Sequence, residues 1–224
     1  MHLYLIRHGQ SYINLADYGG GHRNEPLTDL GEKQAEAVAA WIKDNIQARH
    51  LYCSTMMRTR QTAAAIIQTT GLAAQYDDRI REVGTAYPNG SPVPDDQLKP
   101  YFERVWGTLQ PYDPITESGE NWMQFRTRVG SFIESLLRTF AHIDYSTRPT
   151  PEEEAEQSVL VVCHGGVIEA FFEYVFEKGP WSVVAVMSNN TGMTHLEYRP
   201  VADRPAWRLH FHNKLVHLTS DLIS

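Results

Sequence analysis

The sequence predicts an α/β fold, a three-layer α/β/α sandwich with a mostly parallel central sheet and an inserted helical lid. Three observations predict it. Leu3-Tyr4-Leu5-Ile6, followed by Arg7-His8-Gly9-Gln10-Ser11, and Val159-Leu160-Val161-Val162, followed by Cys163-His164-Gly165-Gly166, are short apolar runs that each end in a histidine with glycine behind it. Around them, strand-like runs alternate with segments of helical period, the order of crossover units on a parallel sheet. The last strand-like runs, Thr194 to Tyr198 and Trp207 to Phe211, lie close enough in the chain to pair antiparallel at an edge.

Taken in order, Leu3 to Ile6 reads as a buried strand and Ser11 to Pro26, with Gly19-Gly20-Gly21, as an irregular loop beside His8. Thr28 or Asp29 can cap a helix in which Ala35, Val38, Ala39 and Ile42 recur at helical spacing up to about Ile46. Leu51-Tyr52-Cys53 forms a second strand, Ser54 can cap the next helix, and Met57 to Thr70 is helical until Gly71 stops it. Gly84 to Pro100 carries Pro88, Pro92, Pro94 and Pro100, which break regular structure. Tyr101 to Leu109 and Trp122 to His142 read as helices, so a lid-like insertion spans about residues 83–145. Thr147 to Gln157, with Pro149, Pro151 and Glu152-Glu153-Glu154, reads as a solvated acidic loop. Val159 to Val162 is a strand, Val167 to Glu177 a helix, and Val183 to Met187 a further strand ahead of the two named above.

The 224 residues suffice to bury ~70% of the surface the unfolded chain exposes, and no linker or composition shift divides them, so one domain over 1–224 is expected. Lys+Arg 20 against Asp+Glu 27 gives a net charge of -7, which repels nucleic acid and requires any anion site to be local. Cys53 and Cys163 end predicted buried strands, the ordinary place for inert small hydrophobes, which argues against a disulfide framework. The start, Met1-His2-Leu3-Tyr4, already has a strand pattern, and runs such as Ala170-Phe171-Phe172 are cut by Glu173 far short of a membrane span. A soluble cytoplasmic protein is the expectation.

In an open parallel sheet, groups at the carboxyl ends of neighbouring strands meet in one crevice, which would join His8 to His164. A lone histidine after a strand is ordinarily a hydrogen-bonded structural residue, and it is the company of His8 that argues otherwise. Arg58 lies one turn into a helix that begins directly after a strand and points back to the same edge. Arg7 and Arg58 would hold phosphate oxygens and depress a nearby imidazole, leaving a neutral nitrogen on His8 to attack phosphorus. His164, with the amides of Gly165 and Gly166 at the next helix start, would clamp the equatorial oxygens. Glu82, taken alone a surface glutamate, precedes the proline-rich stretch, where a carboxyl can be shielded and act as an acid. No metal or cofactor is needed for this work.

These residues resemble the histidine phosphatase superfamily, also called phosphoglycerate mutase-like. Arg7-His8-Gly9-Gln10-Ser11 is similar to its signature, Pro26-Leu27-Thr28-x-x-Gly31-x-x-Gln34-Ala35 to its next landmark, Ser54-x-x-x-Arg58-Thr59-x-Gln61-Thr62-Ala63 to the third and Cys163-His164-Gly165-Gly166 to the last. The resemblance covers most of the chain. It implies that His8 is the phosphorylated nucleophile, that Arg7, Arg58 and His164 complete the phosphate pocket, and that Glu82 is the proton donor. It further implies that Gly9, Asn14, Arg23, Gly165 and the Asn190-Thr191-Gly192 turn belong to the pocket. After Glu82 the chain departs from the family's pattern, with Val83-Gly84-Thr85-Ala86-Tyr87-Pro88 in place of the motifs many relatives carry.

The expected activity is hydrolysis of a small phosphomonoester without metal. Ser118-Gly119-Glu120-Asn121 followed by Phe125 and Arg128-Val129 resembles a segment common in the phosphatase branch of the family, which the resemblance therefore favours. A phosphoglycerate mutase is the alternative, disfavoured because Val83 to Glu103 holds no arginine and only Lys99 as a cation. A binding protein on the same fold is a third reading, disfavoured by the presence of all five core residues. Cysteine phosphatase chemistry fails on spacing, since the sixth residue after Cys53 is Thr59 and after Cys163 is Glu169. The ten histidines form no defensible metal-ligand pattern, and the sequence is silent on oligomeric state.

Overall fold

The two histidine-ended strands are neighbours. In the computed structural model, which describes residues 1–18, 23–98, 110–116, 119–140, 150–177, 185–201 and 204–224, β1 (His2–Arg7) lies parallel to β4 (Ser158–Cys163), with Arg7 opposite Cys163. Both strands therefore release their chains at the same sheet edge, one residue before His8 and His164. β2 (His50–Ser54) flanks β4 in parallel, and β3 (Ala74–Asp77) flanks β2. On the other side β5 (Met193–Tyr198) runs antiparallel to β1, and β6 (Trp207–Lys214) antiparallel to β5. The six-stranded order is β3-β2-β4-β1-β5-β6, a mostly parallel sheet with an antiparallel edge.

β4 is buried at every position, and its alternating side chains feed both faces. Leu160 and Val162 join Ile6, Val38, Ile42, Ala63 and Ile66 under α1 (Asp29–Asn45) and α2 (Met57–Thr70). Val159 and Val161 join Leu3, Leu5, Phe125, Phe132 and Phe171 under α3 (Trp122–Phe140) and α5 (Gly165–Val175). Among the described residues no helix is long and apolar enough to cross a membrane.

Several expectations are corrected. The stretch expected to be a solvated acidic loop contains a helix, α4 (Pro151–Glu156), over its described part. Thr150 accepts from the Glu153 amide, the Glu153 carboxylate answers the Thr150 amide, proline opens the first turn, and three glutamates there complement the helix dipole. β3 is an addition to the expected strands, because its four residues include only Ala74 and Tyr76 as apolar positions and all of it is half-exposed or exposed. Of the strand expected at Val183 to Met187, residues 183–184 lie outside the described set and Ala185 to Met187 join no ladder. There the Val186 amide bonds to Glu169 Oε1, and the Met187 carbonyl faces His212 Nε2. The helix expected at Tyr101 to Leu109 lies outside the described residues, as do residues 141–142 at the end of the helix expected over Trp122 to His142.

Within the segment expected as a helical lid, two described parts differ. Residues 84–98 form an irregular wall with one bridge, Ala86 to Pro92, and one short 3-10 turn, Asp95–Gln97. α3 is instead an outer-layer helix packed on α5, because Phe125, Val129, Phe132, Ile133 and Leu136 line one face at helical spacing and are buried.

Candidate active site

His8 lies just beyond β1, 2% exposed, with a backbone fixed on several sides. Its amide donates to the Cys163 carbonyl at 3.0 Å, and its carbonyl accepts from the Thr191 amide at 3.2 Å and from Asn190 Nδ2 at 3.1 Å. Its ring has one chemical state. Nδ1 faces the Gly9 carbonyl at 2.7 Å, and a carbonyl only accepts, so Nδ1 carries the proton. Nε2 receives the Arg58 Nε–H at 3.0 Å, so it holds a lone pair. Burial first, then the charges of Arg58 and Arg7, hold this imidazole well below the usual histidine range, which keeps it neutral.

His164 caps the start of α5 and is fully buried. Its ring lies 5.2 Å from that of His8, edge to face, and its Nε2 is 2.8 Å from Ser54 Oγ. Burial, with Arg58 and His8 next, depresses it in the same direction. Ser54 Oγ also accepts from the Met56 amide at 3.4 Å. His164 Nδ1 is buried with no hydrogen-bond partner among the described residues.

Arg58 reaches His8 from the first turn of α2, its Nη1 anchored on the Arg23 carbonyl at 2.9 Å, and burial lowers it to about 10. Arg7 is held through Nη1 by the Ser188 carbonyl, while its Nε is buried without a partner among the described residues. Two buried nitrogens without partners among the described residues, Arg7 Nε and His164 Nδ1, thus belong to side chains gathered around a neutral imidazole. Buried cations and idle donors are costly unless an anion meets them. Glu82 is half-buried, its Oε1 accepting from the Val83 amide at 2.9 Å and its Oε2 from the Gly166 amide at 3.4 Å, at the start of the helix that follows His164.

The remaining sequence-predicted residues surround this centre in different ways. Arg23 is buried and donates to the Val83 and Gly84 carbonyls, 2.6 Å each, so it grips the chain just after Glu82. Asn190 and Thr191 hold His8 from behind, and Thr191 keeps a left-handed φ of 54°, a conformation a β-branched residue rarely adopts, to bring its amide there. Asn14 is exposed, and its Oδ1 accepts from the Ser11 amide at 3.0 Å and Asn190 Nδ2 at 3.4 Å. Gly165 is half-buried, and a methyl group built there would sit 3.9 Å from Arg7 Nε. Gly9 abuts α1: a Cβ there would lie 2.5 Å from the Gly31 carbonyl oxygen, and its amide is already taken by Thr62 Oγ1 at 3.0 Å.

The downstream motif residues gain a structural meaning here. Gln34 Oε1 accepts from the Gln10 amide at 2.8 Å, and Gln61 Oε1 from the Leu27 amide at 2.8 Å. They satisfy loop amides that no sheet partner reaches. Ser54 is legible in the sequence only as a helix cap, and its contact with His164 is not, since nothing local in the sequence pairs residues 54 and 164. Among the described residues no group of three or more His, Cys, Asp or Glu is arranged to hold a metal ion.

The profile of the histidine phosphatase superfamily, branch 1, matches residues 3–213. The chain is 25% identical to a fructose-2,6-bisphosphatase TIGAR of Xenopus tropicalis, covering 86% of this chain and 84% of that protein. It is also 25% identical to a probable phosphoglycerate mutase GpmB of Escherichia coli, covering 89% and 86%. The solved structure of a mycobacterial glucosyl-3-phosphoglycerate phosphatase with VO3 superposes with a TM-score of 0.70 at 23% identity, covering 95% of this chain and 98% of that one. With a profile spanning nearly its whole length, the chain belongs to the histidine phosphatase superfamily, branch 1.

Proposed function

We propose that this protein is a phosphomonoester hydrolase that works through a phosphohistidine at His8 and needs no metal ion. The observation that carries the reading is the state of His8: neutral, with Nδ1 donating to a carbonyl and the Nε2 lone pair directed at Arg58. An arriving phosphate competes for the Arg58 N–H and releases that lone pair. Nε2 attacks phosphorus, the ester P–O bond breaks, and Glu82 protonates the departing oxygen. Water then attacks the phosphohistidine, giving a proton to the Glu82 carboxylate, and N–P cleavage restores His8. Arg7, Arg58 and His164 meet the charge on the nonbridging oxygens throughout.

The net charge of -7 and the buried position of the cations favour a small phosphorylated molecule over a nucleic acid. One domain over 1–224 in the cytoplasm completes the proposal, supported by a single sheet with a core on each face and by two buried cysteines left as free thiols. The test is phosphate release in EDTA from a panel including p-nitrophenyl phosphate and 3-phosphoglycerate, with His8→Ala as control. Release that disappears in the control, with label trapped on His8 by a phosphorylated substrate, is expected. The likeness to the mutase gives a second reading, for which conversion of 3- to 2-phosphoglycerate without net release would be the sign. Full activity in His8→Ala overturns both.

A further inference from the structure

Glu82 stands on a stretch with little secondary structure. The 3-10 turn Asp78–Ile80 ends at Arg81, and the irregular wall comes next. Carbonyls in such a stretch need partners from elsewhere, and two buried arginines supply them. Arg128, on the second turn of α3, donates from Nη1 to the carbonyls of Asp78 (3.1 Å), Arg79 (2.8 Å) and Arg81 (3.0 Å), and from Nη2 to that of Glu82 (3.4 Å). Arg23 takes the next two, Val83 and Gly84.

Glu120 orients Arg128. Its Oε2 accepts from Nε at 3.0 Å and its Oε1 from Nη2 at 2.5 Å, a two-pronged pair, and the same Oε1 accepts from the Gly84 amide at 3.0 Å. The two side chains are 3% and 1% exposed. Among the described residues, neither makes a hydrogen bond to Arg7, His8, Arg58 or His164.

A buried ion pair is a poor stabiliser, because desolvation offsets its attraction and an apolar pair of equal volume holds a core as well. A rigid guanidinium fork, however, can fix several carbonyls in one geometry, which no apolar group or single ammonium can do. What the pair achieves here is placement of the backbone on either side of Glu82. We propose that Arg128 and Glu120 are positioning residues that hold the Glu82 carboxyl where it can transfer a proton to the departing oxygen. The proposal rests on the reading of Glu82 as proton donor.

Leaving-group dependence tests it. An alkyl phosphate needs its departing oxygen protonated, whereas p-nitrophenolate leaves without that help, so displacement of Glu82 penalises the first selectively. Arg128→Lys and Glu120→Gln are each expected to lower kcat/KM, which reports phosphoryl transfer to His8 and not the later hydrolysis in which Glu82 also acts, at least about 10-fold more for an alkyl phosphate than for p-nitrophenyl phosphate. Glu82→Gln should show the same selectivity or more. If Glu82→Gln is selective and both clamp variants, folded by circular dichroism, lower the two substrates equally, the positioning role is overturned and the donor role stands. If Glu82→Gln itself lowers both equally, the donor role falls and the positioning role with it. Glu120→Gln preserves volume and an acceptor for Gly84, so it decides the matter if Arg128→Lys does not fold.

Discussion

The two nitrogens of His8 differ because a carbonyl can only accept and a guanidinium N–H can only donate. That asymmetry, with burial, predicts that the ring of His8 in the free protein does not titrate between about pH 6 and 8, a range spanning the ordinary histidine value. Ring-nitrogen chemical shifts over this range check it, and a titration centred near 6.5 would refute it. Ser54→Ala removes the hydrogen-bond partner of the His164 ring. With a hydrogen bond worth ~1 kcal/mol, kcat/KM should drop about 5- to 10-fold with little change in fold. Gly9 and Gly31 approach each other back to back, where a Cβ would lie 2.5 Å from the Gly31 oxygen in one case and 1.9 Å from the Gln10 oxygen in the other. Both obstacles are backbone, so Gly31→Ala should cost more stability than Gly9→Ala, each on the order of 1–3 kcal/mol by denaturant titration.

At the scale of elements, α3 both builds the core and carries Arg128, and these duties lie on different residues. Phe132 is fully buried, with its ring 6.4 Å from Phe171 and 5.5 Å from Tyr52. Phe132→Ala should cost about 3–5 kcal/mol in unfolding free energy while leaving KM near the parent value in the folded fraction. A KM raised as much as stability is lowered would mean that the outer layer and the phosphate pocket are not separable. The elements also show where a local pattern suffices and where it does not. The stripe on α1, with Ala35, Val38, Ala39 and Ile42 buried, has a period that only a helix satisfies, and the uninterrupted apolar run of β4 is too short for a buried helix and rich in β-branched valine. α4 is hidden from such a pattern because its six residues have one buried apolar position, Ala155, and its stability comes from caps and dipole rather than from a stripe. β3 is hidden because an edge strand with no buried position gives little alternation.

Across the whole molecule, several histidines are buried neutral, and their proton uptake links stability to pH. Burial is the leading cause that holds His8 and His164 well below the ordinary value, His195 at about 3 and His217 at about 4. The unfolded chain takes up protons near pH 6.5 that these rings refuse when folded, so their contribution is full above that pH and lost progressively below it. Glu120 and Glu169, raised by burial, act in the opposite sense, but fewer groups are involved and their unfolded value lies at 4.5. The unfolding free energy from urea titration should therefore fall from pH 7 to pH 5, approaching roughly 1 kcal/mol per fully buried ring per pH unit below about pH 6.5. A free energy flat over that range would mean that the histidines take up protons in the folded protein as readily as in the unfolded chain.

The sequence by itself determined the parallel core, the two histidine-ended strands and the meeting of Arg7, His8, Arg58 and His164, because each obeys a short-range rule, whereas Glu82 was legible only through the family resemblance. Apolar runs make strands, helical period makes crossovers, and parallel strands deliver their carboxyl ends to one edge. Only the tertiary structure decided what holds those residues still. The partnership of Ser54 with His164, the grip of Asn190 and Thr191 on the His8 carbonyl, and the bracing of the Glu82 stretch by Arg23 and Arg128 join segments far apart in the chain. Such contacts satisfy the hydrogen-bonding groups that irregular loops leave over. Which distant donor meets which carbonyl is fixed by where the packed elements end in space, a quantity that no local pattern of residues encodes.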